Sequence, residues 1–153
     1  MQIRIISEGK TKDERLRALQ ADYAARIRHF TRLEVEEVPP SRRTGKKPPL
    51  TSSERRLLEK TRQSLKVALD ERGKEMTSPA LAEWMSKAAA RGGVREIAFL
   101  VGGPDGFTES FRSQADFVLA LSRMTLTRDW SMTLLLEQIY RGFTIERGYP
   151  YPR

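Results

Sequence analysis

The amino-acid sequence predicts an α/β fold with a mostly parallel sheet and helices on both faces of that sheet. Short apolar segments alternate along the chain with longer segments in which apolar residues recur every three or four positions, as is typical of alternating strands and helices. Residues 97–101 are all apolar, which indicates a strand buried on both faces. The length of 153 residues favours a single domain, 1–153, because two domains would each have a small core.

The first 50 residues predict two strands that flank a helix. Residues 2–7 and 33–38 alternate or are rich in β-branched residues, a pattern that favours strands. Between them, apolar residues at helical spacing predict a helix that begins at a capping box in residues 11–14 and extends to about His29. Residues 39–50 lack apolar periodicity and carry a Pro-Pro pair at each end, so we expect a loop.

This loop is strongly basic. Its cations are candidates for contacts with the phosphates of RNA or DNA: Arg42, Arg43, Lys46 and Lys47. Such contacts position a protein on a nucleic acid without reading its sequence. The chain as a whole has 28 Lys and Arg against 20 Asp and Glu, and its net charge of +8 favours a polyanionic partner. A charged loop that is only solvated is the alternative.

The middle of the chain predicts a helix, a strand and another helix. Residues 51–63 begin with a capping box and form the first helix. A strand over 65–70 follows, with Gly73 in the turn after it. Ser78 is the expected N-cap of the next helix, and Pro79 occupies its first position.

The segment after the fourth strand, 95–101, is the first candidate site. Gly102 and Gly103 have no side chains, so the backbone could take positive φ values there and a ligand could approach it closely. Ligands of open α/β sheets bind just beyond the carboxyl ends of the strands. The spacing to Gly106 does not match the dinucleotide fingerprint or the phosphate loop. A strand-to-helix turn without a ligand is the alternative.

The last third of the chain predicts a short helix from Thr108, a strand over 117–121 and a long helix capped by Asp129. The loop over 122–126 also follows a strand, so it is a second candidate for ligand contact. The packed side of the long helix is expected to contain Leu134, Leu135, Ile139 and Phe143.

Polar side chains of the long helix and the tail are further candidates. Glu137, Tyr140 and Arg141 could face a site from the side of the helix that is not packed. In residues 147–153, aromatic rings beside arginines could stack bases and hold phosphates. A tail pinned against a neighbouring surface is the alternative.

The composition excludes several classes of site. There is no cysteine and only one histidine, which excludes disulfides, thiolate metal sites and a cysteine nucleophile and leaves no basis for a metal centre. No apolar stretch is long enough to span a membrane. The amino terminus reads as a strand and not as a signal peptide, so we expect a cytoplasmic protein.

Taken in order, the motifs resemble the ribosomal RNA large subunit methyltransferase H family, which belongs to the SPOUT superfamily of knotted methyltransferases. The segments that carry the resemblance are 69–70, 101–106, 121–126, 137–141 and 148–151. Each motif is weak alone, whereas the ordered set is specific. The resemblance extends from the first strand to the last residue.

The resemblance implies a homodimer in which each chain has a carboxyl-terminal trefoil knot. It implies S-adenosyl-L-methionine as the methyl donor. It further implies that the chain methylates N3 of a pseudouridine in 23S rRNA on the assembled ribosome. Two alternatives remain open: a knotted protein that binds RNA or the ribosome without catalysis, and a methyltransferase that acts on another RNA such as tRNA.

The resemblance also suggests site residues. Together with the glycine elbow, it gives these cofactor contacts: Leu69, Gly102, Gly103, Leu121, Ser122, Arg123, Met124, Thr125 and Leu126. The expected catalytic residues are Arg141 and Glu137. Arg141 is expected to favour the anionic form of N3, and Glu137 and Tyr140 to orient Arg141 or the base. A surface i,i+4 pair is the alternative for Glu137 and Arg141. Further candidate RNA contacts are Arg128, Tyr140, Tyr151 and Arg153.

The chain departs from the family pattern at three places. Thr127 and Arg128 replace a usual Pro-His pair, Met132 replaces a usual arginine, and Pro152 replaces a usual histidine. All three places are expected to face RNA. The cofactor loops match the family pattern.

Overall fold

The fold is built around one parallel sheet. The computed structural model describes residues 1–41 and 49–151, and the bounds below refer to this part of the chain. The strands are β1 (Gln2–Glu8), β2 (Arg32–Val38), β3 (Leu65–Glu75), β4 (Glu96–Val101) and β5 (Phe117–Ala120). The helices are α1 (Glu14–Ile27), α2 (Ser52–Lys60), α3 (Ser78–Ala90), α4 (Glu109–Gln114) and α5 (Arg128–Arg147).

The sheet has the strand order β2-β1-β4-β3-β5, and all its described pairs are parallel. One core cluster joins the sheet to α1, α3 and α5 through side chains such as Ile5, Phe99 and Ile139. A second cluster joins the other face to α2 and α4 through Leu57 and Phe111. The predicted α/β class with helices on both faces is therefore confirmed, and the trefoil knot stays a prediction. Among the described residues, no helix is long and apolar enough to cross a membrane.

Helix starts differ from the predictions at three of the predicted caps. The capping box predicted in residues 11–14 does not form, because Asp13 caps α1 by accepting the N–H groups of Arg15 and Leu16. Thr77 caps α3 in place of Ser78, and Thr127 caps α5 in place of Asp129.

The carboxylate that was expected to cap α5 has other partners. The Asp129 carboxylate accepts bonds from Arg128 and from the Lys12 N–H, so it links the loop after β1 to α5. By contrast, the capping box of α2 between Thr51 and Glu54 forms as predicted.

The packed side of α5 is close to the prediction. Leu135, Ile139 and Phe143 are buried, whereas Leu134 is 37% exposed, so its predicted burial is wrong. Met132 is buried instead and belongs to the core shared with α1 and α3. Met132 therefore has a packing role, and the expectation that this position faces RNA is wrong.

Gly73 lies inside β3 and not in a turn after it. The register of β3 against β5 shifts between Leu69 and Lys74, which both pair with Leu119, so the intervening residues bulge from the sheet. A Cβ atom on Gly73 would be 2.5 Å from the backbone oxygen of Val118. Only glycine fits this approach between two strands.

Gly73→Ala is expected to lower the free energy of unfolding by about 1–3 kcal/mol, because the added methyl group forces β3 away from β5. Urea denaturation measures this change. Gly92→Ala is the matched control, since a Cβ atom there would meet nothing within 4 Å. Equal stability of the two variants would contradict the close approach.

Candidate functional site

A cleft lies at the carboxyl ends of β3, β4 and β5. Its walls are the β3 bulge over residues 69–72, the elbow over 101–106, the loop over 121–126 and the first turn of α5. The cavity has a volume of about 140 Å³. Its side chains and backbone groups come from three strand ends, as expected for a ligand site in a parallel sheet.

Eight of the nine predicted cofactor residues line this cleft: Leu69, Gly102, Gly103, Leu121, Ser122, Met124, Thr125 and Leu126. The ninth, Arg123, points elsewhere. Its guanidinium donates a hydrogen bond to Glu75, and its side chain is 90% exposed. Arg123 therefore fastens the loop to the end of β3, and Thr125 does the same through a 2.5 Å bond to Glu71.

The elbow closes through a tight turn. The N–H of Gly106 donates to the C=O of Gly103 at 3.0 Å. The positive φ predicted for Gly102 or Gly103 occurs at Gly106 instead, with a φ of +68°. This is where the turn requires the left-handed region.

The two neighbouring glycines are needed for packing behind the elbow. A Cβ atom on Gly103 would lie 3.0 Å from the Oε2 atom of Glu8, and one on Gly102 would touch the ring of Phe107 at 3.4 Å. The space next to Gly103 is thus filled by a protein side chain.

Glu8 is a residue of this region that the sequence did not reveal. It ends β1 and is only 8% exposed. Its carboxylate accepts the Gly103 N–H at 3.0 Å and the Ser53 hydroxyl at 2.7 Å. Burial raises the pKa of Glu8, while the bonds from Ser53 and Gly103 act in the opposite direction without cancelling it.

A second buried carboxylate holds the other end of the elbow. Glu54, which is 1% exposed, accepts the backbone N–H of Thr108 at 2.8 Å and its hydroxyl at 2.9 Å. Glu8 and Glu54 therefore anchor residues 103 and 108 from behind. Such anchoring holds the cleft wall in one conformation before any ligand arrives.

Arg72 connects two walls of the cleft. Its guanidinium pairs with Asp70 at 2.8 Å and donates to the C=O of Phe107 at 3.2 Å. Burial raises the pKa of Asp70, but the hydrogen bonds from Arg72 outweigh it, so the net shift of that pKa is downward. The β3 bulge and the elbow are thus joined by a charged bridge.

Arg128, a predicted RNA contact, is engaged within the protein. Its guanidinium donates to the C=O of Glu8 at 2.9 Å and also to the C=O of Lys10, and it pairs with Asp129 at 3.1 Å. The side chain is 16% exposed. It fastens the end of β1 to the start of α5, and its contact with RNA stays a prediction.

The predicted catalytic pair lies in a second cluster farther along α5. Arg141 donates to the Oε1 atom of Glu137 from Nη2 at 2.6 Å and from Nε at 3.1 Å. The hydroxyl of Tyr151 also donates to Glu137 at 3.1 Å, and its ring lies 4.7 Å from the Arg141 guanidinium carbon. The bond to Glu137 raises the pKa of Arg141.

The described part of the tail, which ends at Tyr151, is pinned against the helices, as one of the two predictions had it. The Tyr151 hydroxyl also bonds that of Tyr23 at 3.1 Å, and its ring meets the ring of Tyr140 edge-on at 4.9 Å. Burial, with these bonds, raises the pKa of Tyr151. The predicted RNA contacts Arg42, Arg43, Lys46, Lys47 and Arg153 lie outside the described residues.

The two clusters are separate within one chain. Ser131 lines the cleft, and Arg141 follows ten residues later on α5, about 15 Å along the axis at the rise of an α-helix. Within residues 1–41 and 49–151, no group of His, Cys, Asp or Glu side chains is arranged to hold a metal ion.

The parallel sheet and the cleft at its carboxyl edge define an α/β protein that binds a small organic cofactor. A family model described as predicted SPOUT methyltransferase matches residues 1–152, and the chain belongs to this family. Its cofactor is S-adenosylmethionine, the methyl donor of SPOUT methyltransferases. The cleft fits this group, because its leucines, Leu69, Leu121 and Leu126, suit an adenine ring and its glycine-rich elbow exposes backbone groups to a ligand.

Curated relatives and a solved structure agree with this assignment. The chain is 43% identical over 152 residues to the ribosomal RNA large subunit methyltransferase H of Geotalea uraniireducens, with 99% of each chain covered. It is 42% identical to the protein of that name from Geobacter metallireducens, covering 99% of this chain and 98% of the relative. A probable methylase family protein from Haemophilus influenzae has a TM-score of 0.57 at 13% identity, over 99% of this chain and 70% of that one, which supports the fold.

Proposed function

We propose that the chain methylates N3 of a pseudouridine in 23S rRNA on the assembled ribosome, as a homodimer in the cytoplasm. The broader function is S-adenosylmethionine-dependent methylation of rRNA. It is supported by relatives of 43% and 42% identity over nearly the whole chain, which are named as large subunit rRNA methyltransferases. The observation that carries the proposal is the cleft at the carboxyl ends of β3, β4 and β5, where eight of the nine predicted cofactor residues meet.

The protein's part in the reaction is to hold and orient. S-adenosylmethionine supplies an already activated methyl group, so the cleft walls need only fix the donor in line with the acceptor nitrogen. N3 of the base must lose its proton at or before transfer. A guanidinium next to N3 favours the anionic form, and Arg141 is the group that we assign to this role.

Glu137 acts on the reaction through Arg141. Its Oε1 atom accepts two bonds from the guanidinium and one from the hydroxyl of Tyr151, so it fixes the orientation of the Arg141 guanidinium. It is therefore a positioning residue. The ring of Tyr151 packs against the guanidinium of Arg141, and Tyr140 meets Tyr151 edge-on, so both rings help to hold Arg141 in place.

A homodimer would bring the two clusters together. One chain leaves about 15 Å of helix between the cleft and Arg141, so we propose that the cleft of one protomer is completed by α5 of its partner. The exposed apolar side chains near the cleft suit such an interface: Met124 is 77%, Trp130 50% and Leu134 37% exposed.

Leu134→Arg is expected to convert the dimer to monomers and to abolish methyl transfer, because a buried unpaired charge costs several kcal/mol. Sedimentation velocity measures the oligomeric state. Leu19→Arg is the matched control, since Leu19 is an exposed apolar residue of α1 with 45% exposure. If the Leu134→Arg variant is still a dimer, α5 does not form the interface as proposed.

Transfer of a labelled methyl group tests the proposed function. Ribosomes from cells that lack the protein are incubated with labelled S-adenosylmethionine, beside free 23S rRNA and tRNA. We expect label in the ribosomal fraction and recovery of the labelled nucleoside as N3-methylpseudouridine. Label in tRNA would favour another RNA substrate, and cofactor binding without transfer would favour an RNA-binding protein that has lost catalysis.

A further inference from the structure

A groove between α2 and α4 lies on the sheet face opposite α5. Its lining comes from both helices and from the start of β3: Arg55, Leu58, Glu59, Arg62, Lys66 and Gln114. The cofactor cleft shares none of these residues. We call this surface the basic groove.

The cations of the basic groove are not neutralised. Within residues 1–41 and 49–151, the structure records no ion pair for Arg55, Arg62 or Lys66. Arg55 donates to the backbone C=O of Leu50 at 3.2 Å, and Lys66 donates to that of Ser64 at 3.4 Å. Both bonds hold a side chain in place and leave its charge uncompensated.

Two cations on the opposite sheet face differ from those of the basic groove. On α1, Arg26 pairs with Asp22 at 2.9 Å, and on α3, Lys87 pairs with Glu83 at 2.6 Å. A neighbouring carboxylate compensates each of these two charges. Uncompensated charge attracts a polyanion over distances of about 10 Å at ordinary salt.

The positive surface continues beyond the end of the basic groove at which Arg62 lies. A neighbouring depression shares Glu59 and Arg62 with it and adds Arg95, together with Lys60, which pairs with Glu36 at 3.3 Å. The carboxylate in that depression, Glu96, pairs with Arg4 at 3.2 Å. Glu59 is thus the carboxylate of this surface that remains unpaired among the described residues.

The sequence carries four further cations over residues 42–47, before α2. These residues lie outside the described part of the chain.

We propose that the basic groove docks the phosphate backbone of an rRNA helix at a distance from the methylated nucleotide. The inference rests on the proposed function, which makes rRNA the substrate. Arginine forks bind phosphate oxygens in pairs, and the cations that α2, the turn after it and β3 supply to the groove, Arg55, Arg62 and Lys66, can contact a nucleic-acid backbone without reading bases. The groove lies across the sheet from α5, so it contributes affinity and takes no part in the chemistry.

Charge reversal at Arg62 tests the inference. For Arg62→Glu, KM for ribosomes and the Kd for ribosome co-sedimentation are expected to rise about tenfold, and the slope of log K against log salt to flatten by about one to two for the charge change of two. Arg55→Glu with Arg62→Glu should show a larger effect. The value of kcat at saturation and the affinity for S-adenosylmethionine should stay unchanged.

The matched control is Lys87→Glu, an equal change of charge on α3. It should leave ribosome affinity unchanged. Unaltered affinity and salt slope in Arg62→Glu would overturn the inference, and so would a loss of cofactor affinity, which would mean a structural role. Co-sedimentation separates this test from the proposed function: if the wild type binds ribosomes through the groove but transfers no methyl group, the function fails and the docking surface stands.

Discussion

Replacing Arg141 with methionine is expected to lower kcat for methyl transfer about 100- to 1000-fold, with the affinity for S-adenosylmethionine unchanged. The size follows from the loss of one preorganised donor at a site where negative charge develops. We assign Arg141 to the acceptor base and not to the methyl donor, so the affinity for S-adenosylmethionine should not depend on it, although in the proposed dimer α5 of the partner completes the cleft. Single-turnover kinetics with ribosomes and calorimetry with the cofactor measure the two quantities.

The pH profile gives a second expectation for the same variant. Without the guanidinium, N3 must lose its proton to solvent, which becomes easier as the pH rises. The Arg141→Met variant should therefore regain rate with increasing pH, whereas the wild type should depend less on pH. Arg141→Lys should be intermediate, because it keeps the charge and loses the two-pronged bond to Glu137.

Arg147→Met is the control for this prediction. It makes the same substitution on the same helix at an exposed position, where the guanidinium lies 5.6 Å over the ring of Phe30. Its kcat should match that of the wild type. If both variants lose activity equally, or if Arg141→Met keeps its rate, Arg141 has no special role in deprotonation.

Local patterns predicted the strands and helices well because their causes are local. Residues 97–101 have apolar side chains on both faces, and β4 is buried on both faces. The capping box of Thr51 and Glu54 needs only two residues that are three positions apart in the sequence. Local patterns also account for the wrong N-cap of α3. Thr77 and Ser78 are both good N-cap residues next to Pro79, and local sequence alone does not decide between them.

The missed features depend on contacts between distant parts of the chain. Gly73 looked like a turn glycine because nothing in the sequence reveals how near β5 approaches it. Glu8 gained its role because β1 lies next to β4, an order that alternating periodicity does not encode. The signal in the sequence was a charged residue, Glu8, at the end of an isoleucine-rich strand.

Glu8→Ala is expected to weaken S-adenosylmethionine binding about tenfold, or about 1.4 kcal/mol. The substitution leaves the Gly103 N–H and the Ser53 hydroxyl without their acceptor, each at a cost of about 1–3 kcal/mol if unsatisfied. The elbow then loses its fixed conformation, and the ligand must order it on binding. Isothermal titration calorimetry measures the affinity, and Glu37→Ala, at an exposed glutamate of β2, is the control.

Glu8→Gln separates geometry from charge. Its amide oxygen can accept the Gly103 N–H while its NH₂ group donates to the Ser53 oxygen, so cofactor affinity should stay near that of the wild type. The difference in the free energy of unfolding between the wild type and Glu8→Gln should depend on pH. Because burial raises the pKa of Glu8, the folded carboxyl binds its proton more tightly than the unfolded one, whose pKa is about 4.5.

The tighter binding of this proton in the folded state contributes to the free energy of unfolding. The contribution is fully present below pH 4.5 and is lost as the pH rises through the raised pKa of Glu8. As the pH rises from 4.5 through the raised pKa, the wild type should therefore lose stability relative to Glu8→Gln. Urea denaturation at several pH values measures the difference. A constant difference would mean that burial does not perturb this carboxyl.

A double-mutant cycle gives the sharpest evidence that Glu8 acts through the elbow. A Cβ atom on Gly103 would lie 3.0 Å from the Glu8 carboxylate, so Gly103→Ala should weaken cofactor binding in the wild type. In the Glu8→Ala background the obstructing oxygen is gone, and Gly103→Ala should cost less. Residues in contact show such non-additivity. Strictly additive effects would mean that the carboxylate and the elbow act on the cofactor independently, and the role assigned to Glu8 would be lost.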